Sequence, residues 1–293
     1  MTPLLPLPSI IIEPIVRNAL VEDLGRGSDL TSESVIPHDR AATLALTARQ
    51  AGVIAGLDLA AYAFLLVETT IDMQVRRPDG SEVAVGETVA SVSGPARALL
   101  TAERTALNFL CHLSGIATAT AAIVDAVRGH KAKIVCTRKT TPGLRALEKY
   151  AVRAGGGANH RFGLDDAMLI KDNHIAIAGD IRTAIERARA AAGHMVKIEV
   201  EVDTLEQLDI ALAAGIDAVL LDNMSVDQLT QAVAMVGGRA ITEASGRVNV
   251  QTAPAIAATG VDLISVGWIT HSAPILDIGL DIAVDTNMNR LLN

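Results

Sequence analysis

The chain has 293 residues; half are hydrophobic but only 2% aromatic, and 25 Lys and Arg face 33 Asp and Glu for a net charge of −8. An acidic chain with no basic tail is a poor match for nucleic acid or an anionic membrane, and its two cysteines, Cys111 and Cys136, make no disulfide framework and suit a reducing compartment, the cytoplasm. No uncharged apolar run approaches the roughly 18–20 residues of a membrane span, and the apolar N-terminus, interrupted by prolines, lacks the basic region and cleavage site of a signal peptide.

The first hundred residues read as strand-rich α+β material. Ile15–Leu24 has a helical pattern ending at Gly25 and Gly27, and Asp23, Asp29, Thr31 and Ser32 offer side chains to cap the next segment. Ala42–Ala48 reads as a strand, QAGVIAG as a glycine-bounded return, and Leu57–Thr70 as a helix. Asp79-Gly80, between the apolar runs Met73–Arg77 and Val83–Val85, predicts a hairpin. Thr88–Val92 is a further strand, and this part reads as a separate domain ending near Pro95–Leu100. A long helix follows, with Thr101 as N-cap, Glu103 in the first turn and few breaks before Arg128.

From Ala132 onward, β-rich runs recur at Lys133–Thr137, Ala167–Ile170, Val196–Val202, Ala218–Leu221, Ala240–Ala244 and Asp262–Val266. Their starts lie roughly 20–35 residues apart, as in βα units. Helical patterns fall at Gly179–Ala192, Leu205–Ala214, Val226–Val236 and Thr252–Thr259. The regularity predicts a closed or nearly closed α/β barrel, with a doubly wound open sheet as the alternative.

Barrels place their chemistry at the carboxyl ends of the strands. There the chain carries, in order, Thr137-Arg138-Lys139, Lys171-Asp172-Asn173-His174, Glu201 with Glu199 on the same face, Asp222-Asn223, Glu243-Ala244-Ser245-Gly246-Arg247 and Ser265-Val266-Gly267. Between Lys131 and Lys171, nine cations (Lys131, Lys133, Arg138, Lys139, Arg145, Lys149, Arg153, Arg161 and Lys171) meet only Glu148, Asp165 and Asp166. A cationic segment in an anionic protein points to a small polyanion. Arg and Lys suit carboxylate or phosphate, the carboxylates suit ribose hydroxyls or Mg²⁺, and the glycine-serine turns ahead of helices offer backbone amides to a phosphate. The set suggests a phosphorylated sugar and a carboxylated co-substrate.

The stretch TRKTTPGLRALEKYAVRAGGGANHRFGLDDAMLIKDNHI closely resembles the signature of the quinolinate phosphoribosyltransferase family. The likeness continues in ERTALNFLCHLSGIAT, KIEVEVDTLEQL, AVLLDNMS, EASGRVN, LISVGWITHSAP and EDLGRGSDLTS, and so covers essentially the whole chain. It implies a type II phosphoribosyltransferase, with an N-terminal α+β sandwich over residues 1–115 and an incomplete α/β (TIM-like) barrel over 116–274. The tail, 275–293, is expected to pack back on the first domain. The resemblance also implies a homodimer or larger assembly whose site is completed across the interface, and a reaction of quinolinate with phosphoribosyl diphosphate (PRPP) and Mg²⁺.

Carried over by position, Arg138, His160, Arg161 and Lys171 bind the quinolinate carboxylates, with Arg104 joining them from the neighbouring subunit. Alone, Arg104 reads as a surface charge. Lys139 contacts quinolinate or the diphosphate and, with Glu201 and Asp222, makes up the catalytic set. Glu201 and Asp222 hold ribose hydroxyls and Mg²⁺ through water, and Thr137 lies on the PRPP side. Ser245, Gly246, Arg247, Ser265, Val266 and Gly267 fall where the family binds the 5′-phosphate; its frequent second glycine at Arg247 puts a side-chain role there in question. The alternatives are a Schiff-base aldolase using Lys171, a paralogue associated with molybdate uptake genes, and a non-catalytic sugar-phosphate binder. Retention of every cation and both carboxylates counts against the last.

Other features read as structural. His112 and His130 suit packing or a helix surface, Cys111 and Cys136 suit burial, and Gly155-Gly156-Gly157 reads as a hinge presenting His160 and Arg161. Glu199 is expected to pair with Lys139 or Lys171. His174 is open between a ligand neighbour and a turn cap. Lys131, Lys133, Lys149 and Arg153 are expected to face solvent or an interface.

Overall fold

The computed structural model describes residues 4–282. Among these, residues up to 119, with 146–155 and those from 273 onward, form one compact unit, and 120–145 with 156–272 form the other. Residues 145–154, inside the span expected for the barrel, are a helix that groups almost wholly with the first unit.

The first unit opens with helices α1 (Ser9–Leu24) and α2 (Leu30–Val35). The expected start at Ile15 is six residues late, because α1 runs through Pro14. Burial of Ile12, Val16 and Leu20, each one helical turn from the next, offsets the hydrogen bond that Pro14 cannot donate. Asp29 caps α2, its carboxylate accepting from the Ser32 N–H at 3.0 Å. Strands β1 (Ala41–Ala48) and β2 (Gly52–Val53), helix α3 (Leu57–Val67), and strands β3 (Asp72–Val75), β4 (Glu82–Val83) and β5 (Thr88–Pro95) follow. With β12 (Ile278–Ile282) they give an antiparallel sheet in the order β12-β1-β5-β3 and a separate β2-β4 pair. The described part of the tail thus adds an edge strand to the first unit; residues 283–293 lie outside the described residues.

The Asp79-Gly80 hairpin does not form. β3 pairs with β5 and β4 with β2, so the two runs flanking the turn belong to different sheets. The Asp79 carboxylate instead accepts from the Gly56 and Leu57 N–H groups at 2.9 and 3.2 Å, and from the Tyr150 hydroxyl at 2.7 Å. It serves donors at the N-terminus of α3 that have no partner within the helix. Helix α4 (Ala96–Ala126) begins five residues before Thr101, directly after Pro95; the Thr101 hydroxyl donates to Asp29 rather than capping. Long and apolar enough to cross a membrane, α4 is instead largely buried as a core helix, with Leu107 and Leu110 packed against Leu46, Ile54 and Ile278. Gly115 is required there, since a Cβ would lie 2.1 Å from the Pro274 carbonyl oxygen.

The second unit carries β6 (Lys133–Val135), then, after helix α5 (Arg145–Ala154) of the first unit, β7 (Met168–Ile170) and helices α6 (Asp172–Ala178) and α7 (Ile181–Ala191). Strand β8 (Ile198–Val202), helix α8 (Leu205–Ala214), β9 (Ala218–Asp222), α9 (Val226–Val236), β10 (Ile241–Ser245), α10 (Ala253–Ala258), β11 (Leu263–Ser265) and α11 (Trp268–His271) complete it. All six expected strands form one parallel sheet in the order β6-β11-β10-β9-β8-β7. Each strand neighbours its successor in the chain except β6 and β7, which is the order of a barrel left open at one seam. At that seam Ala158 makes a single parallel bridge to Val135 on β6, fixing the residues that lead to His160.

Replacing Asp79 with Ala leaves two helix-end N–H groups and a half-buried Tyr150 hydroxyl without their acceptor. A loss of about 1–3 kcal/mol is expected in urea unfolding; an unchanged midpoint would show that the cap contributes nothing.

Candidate active site

Strand alternation builds the site. On β8, Ile198, Val200 and Val202 are buried on one face, while Glu199 and Glu201 share the other. Leu220 on β9 is the register partner of both Glu201 and Glu243, and Asp222 pairs with Ser245 one layer nearer the strand ends. These side chains, with Thr137, Arg138, Lys139, His160, Arg161, Leu169, Lys171 and Ser265, line a cavity of about 390 Å³. A second recess of about 380 Å³ shares Thr137, Lys139, Asp222, Ser245 and Ser265 with it and adds Asn223, Gly246, Arg247, Val266, Gly267 and His271.

The cations are arranged under strain of charge. Arg138 and Arg161 are close enough that Arg138 disfavours the charged form of Arg161, second only to burial. The Nε atoms of both are buried without a hydrogen-bond partner. Arg161 is anchored by one bond from Nη1 to the Ala167 carbonyl at 3.0 Å. Lys139 is held by its backbone: its N–H donates to Thr137 Oγ1 at 3.0 Å and its carbonyl accepts from Thr270 at 2.8 Å. Lys171 Nζ forms a short ion pair with Glu201. The Lys171 N–H donates to His174 Nδ1 at 2.9 Å, so His174 acts as a turn cap.

His160 lines the cavity with both ring nitrogens engaged. Nδ1 accepts the Arg161 backbone N–H at 2.7 Å, and Nε2 lies 3.1 Å from Glu199 and 3.6 Å from Glu243. Glu199 therefore serves His160, not Lys139 or Lys171 as expected; Lys171 is taken by Glu201 instead. The three groups are close enough to surround a metal ion. An Nδ1 that accepts a backbone N–H leaves the proton on Nε2, however, and a protonated nitrogen is no ligand. Glu243 is 1% exposed and its oxygens have no hydrogen-bond partner. Burial pushes its carboxyl above the ordinary range, and Glu199 adds to the shift against the opposing pull of His160.

The second recess is lined by turns. Gly246 has φ +107°, and a Cβ there would lie 2.3 Å from Asn223 Oδ1. Asn223 and Arg247 are the non-glycine residues with positive φ, 53° and 49°, among the described residues. Arg247 thus holds the backbone shape that a glycine would adopt freely. The expected helices contribute little, as α10 starts at Ala253 and α11 spans four residues. The Val266 N–H is spent on the Val135 carbonyl at 2.9 Å, which removes its amide as a phosphate donor.

Of the expected site residues, Arg104 lies elsewhere. It sits on α4 in the first unit, lining a pocket of about 370 Å³ with Asp23, Asp29 and Thr101. Lys149, expected at the surface, is fully buried. The partly exposed His112 pairs at 3.0 Å with the buried Glu148, and both cysteines are buried. Residue-by-residue reading placed Glu243 and Asn223 at strand ends without giving them a role, and missed Leu169, Leu220 and His271. For Glu243 and Leu220 the signal was present, as each lies two residues before an inward strand-end group.

The raised Glu243 carboxyl carries a sign for pH dependence. It contributes stability fully present below the unfolded value, about 4.3, and lost as pH rises through the folded value. Glu243→Gln, neutral throughout, is expected to track the native chain in acid and to become the more stable of the two as pH rises. Urea midpoints measured across pH check this; a difference that does not change with pH would contradict it.

Two family models, the N- and C-terminal domains of quinolinate phosphoribosyl transferase, match residues 29–114 and 116–281. The chain is 50% identical over 272 residues to the nicotinate-nucleotide pyrophosphorylase [carboxylating] of Mycobacterium leprae, covering 91% of this chain and 95% of that one. It is 44% identical over 273 residues to the probable enzyme of that name from Bacillus subtilis, covering 93% and 94%. The solved structure of NadC from Streptococcus pyogenes superposes with a TM-score of 0.91 at 42% identity, covering 94% of this chain and 98% of that one. With two matching domain models and a cavity built from the motifs that carry the likeness, this chain belongs to the quinolinate phosphoribosyltransferase family.

Proposed function

We propose that the protein transfers the phosphoribosyl group of PRPP to quinolinate with decarboxylation, giving nicotinate mononucleotide, CO₂ and diphosphate in de novo NAD biosynthesis. The observation that carries this reading is the Arg138–Arg161 pair: two guanidinium groups lining one cavity, each disposed against the other's charge and with a buried Nε lacking a partner. A doubly charged ring acid relieves that repulsion and supplies planar acceptors for both forks. Lys171 adds a third cation, and Lys139, which lines both recesses, would contact quinolinate or the diphosphate.

Glu201 and Asp222 would face the ribose, where their charge favours an oxocarbenium-like centre at C1′. The ring nitrogen attacks C1′ as the C1′–oxygen bond breaks, its electron pair leaving with diphosphate. The bond to the adjacent carboxylate then breaks, leaving its electrons on the carbon beside the cationic nitrogen, and a proton from solvent replaces the lost CO₂. These steps need orientation more than a strong base. Glu201 and Asp222 also fit Mg²⁺ through water, since that ion takes oxygen donors and retains its waters. Bound there, it would supply positive charge to the departing diphosphate. Gly246, Arg247 and Gly267 would hold the 5′-phosphate through the turn backbone, with Ser245 and Ser265 beside them. His160, its nitrogens engaged, would position Arg161 rather than bind a carboxylate itself.

Arg104, in the first unit, would reach the site of a second copy in a homodimer. The free cysteines suit work in the cytoplasm.

Incubation with quinolinate, PRPP and Mg²⁺ is expected to yield nicotinate mononucleotide and CO₂ in equal amounts, with little turnover of nicotinate; equal turnover of nicotinate, or no CO₂, would overturn the reading. Arg104→Ala and Lys171→Ala, each inactive alone, are expected to recover part of the activity when mixed. Failure to do so after confirmed subunit exchange would overturn the shared site.

A further inference from the structure

Lys171 and Glu201 form an ion pair, although the proposed reaction gives them to different substrates. Among the described residues, Arg138 and Lys139 have no such carboxylate partner. The backbone of Lys171 is fixed at the end of β7 by its N–H bond to His174 and by the Ile175 N–H that its carbonyl accepts at 3.0 Å. Glu201 is held within β8, a strand paired on both sides, with its side chain 14% exposed against 44% for Lys171. The lysine side chain is therefore the part free to swing, and the carboxylate the part that suffers when left alone.

We infer that the Lys171–Glu201 ion pair is a placeholder that couples the two substrates, each displacing the residue the other needs. This rests on the proposed function and adds an order of energetics to it. A ring carboxylate that takes Lys171 exchanges one ion pair for another and leaves Glu201 poorly compensated. Ribose hydroxyl donors then restore what Glu201 lost. PRPP bound first leaves Lys171 seeking an anion. Breaking a shielded pair from one side is costly, so whichever substrate arrives second binds more tightly. Linkage makes the gain reciprocal, and couplings of this kind are typically about 5–150-fold.

Phthalate, which has the vicinal carboxylates of quinolinate but no ring nitrogen to attack C1′, tests this in the intact protein. Calorimetric titration is expected to show phthalate binding at least about fivefold tighter when PRPP and Mg²⁺ are already present. In Glu201→Gln, phthalate alone is expected to bind more tightly than to the native chain, because Lys171 is released, and PRPP is expected to add less than about twofold. A merely structural role for Glu201 would instead weaken phthalate binding. Equal phthalate affinity with and without PRPP in the native chain would overturn the inference even if the variant fails to fold. So would unchanged or weaker phthalate binding to a folded Glu201→Gln. An intact quinolinate-dependent release of CO₂ beside either result would overturn the coupling alone, whereas absence of that release overturns the functional reading.

Discussion

Six parallel strands whose ends all face one way impose a single constraint on this protein. Every second side chain points inward, so whatever the strand ends carry must share one cavity. Arg138, Lys139, Arg161 and Lys171 meet there with Glu201, Asp222 and Glu243. These charges cannot all be satisfied at once. Lys171 and Glu201 cancel, burial moves Glu243 toward its neutral form, and Arg138 and Arg161 remain opposed. The surplus that persists is positive. A dianionic ring and a polyhydroxylated sugar phosphate are complementary to such a division.

The deeper network explains how the surplus is kept in place. Glu199 and Glu243 face Nε2 of His160, whose Nδ1 accepts the N–H of Arg161. The imidazole is thereby fixed in one tautomer, and the neighbouring arginine is fixed through its own backbone. Ala158, bridged to β6 two residues earlier, closes the other side of the same short segment. The open seam between β6 and β7 thus becomes the place where the arginine is presented rather than a defect in the sheet. The cost is a nearly inaccessible carboxyl without a hydrogen bond, and the protein carries it directly under its site.

The strands were legible because each is a short Val/Ile/Leu-rich run at βα spacing, and their polar ends could be read by position. What eluded the sequence was set by partners distant in the chain. Asp79-Gly80 has the local form of a hairpin turn, but the N-terminus of α3 competes for the same carboxylate and wins. Thr101 looks like a helix start, yet Pro95 supplies an earlier one. Lys149 looked like a surface charge because helix periodicity does not reveal which face a second element covers. In α5, Leu147, Glu148, Lys149, Ala151 and Val152 are all buried. Glu243 was legible at its strand end, on the inward face with Ser245, but its raised carboxyl follows from burial and from Glu199, distant in the chain.

The central claim is a division of one cavity between opposite chemistries: guanidinium and ammonium groups for the ring acid, carboxylates and turn amides for the ribosyl phosphate. A crystal structure with phthalate, PRPP and Mg²⁺ tests it most directly. The account predicts phthalate carboxylates on Arg138, Arg161 and Lys171, ribose hydroxyls at Glu201 and Asp222, and the 5′-phosphate against the Gly246–Arg247 and Gly267 backbone. Phthalate bound outside the Arg138–Arg161 pair, or a 5′-phosphate on those arginines, would contradict it.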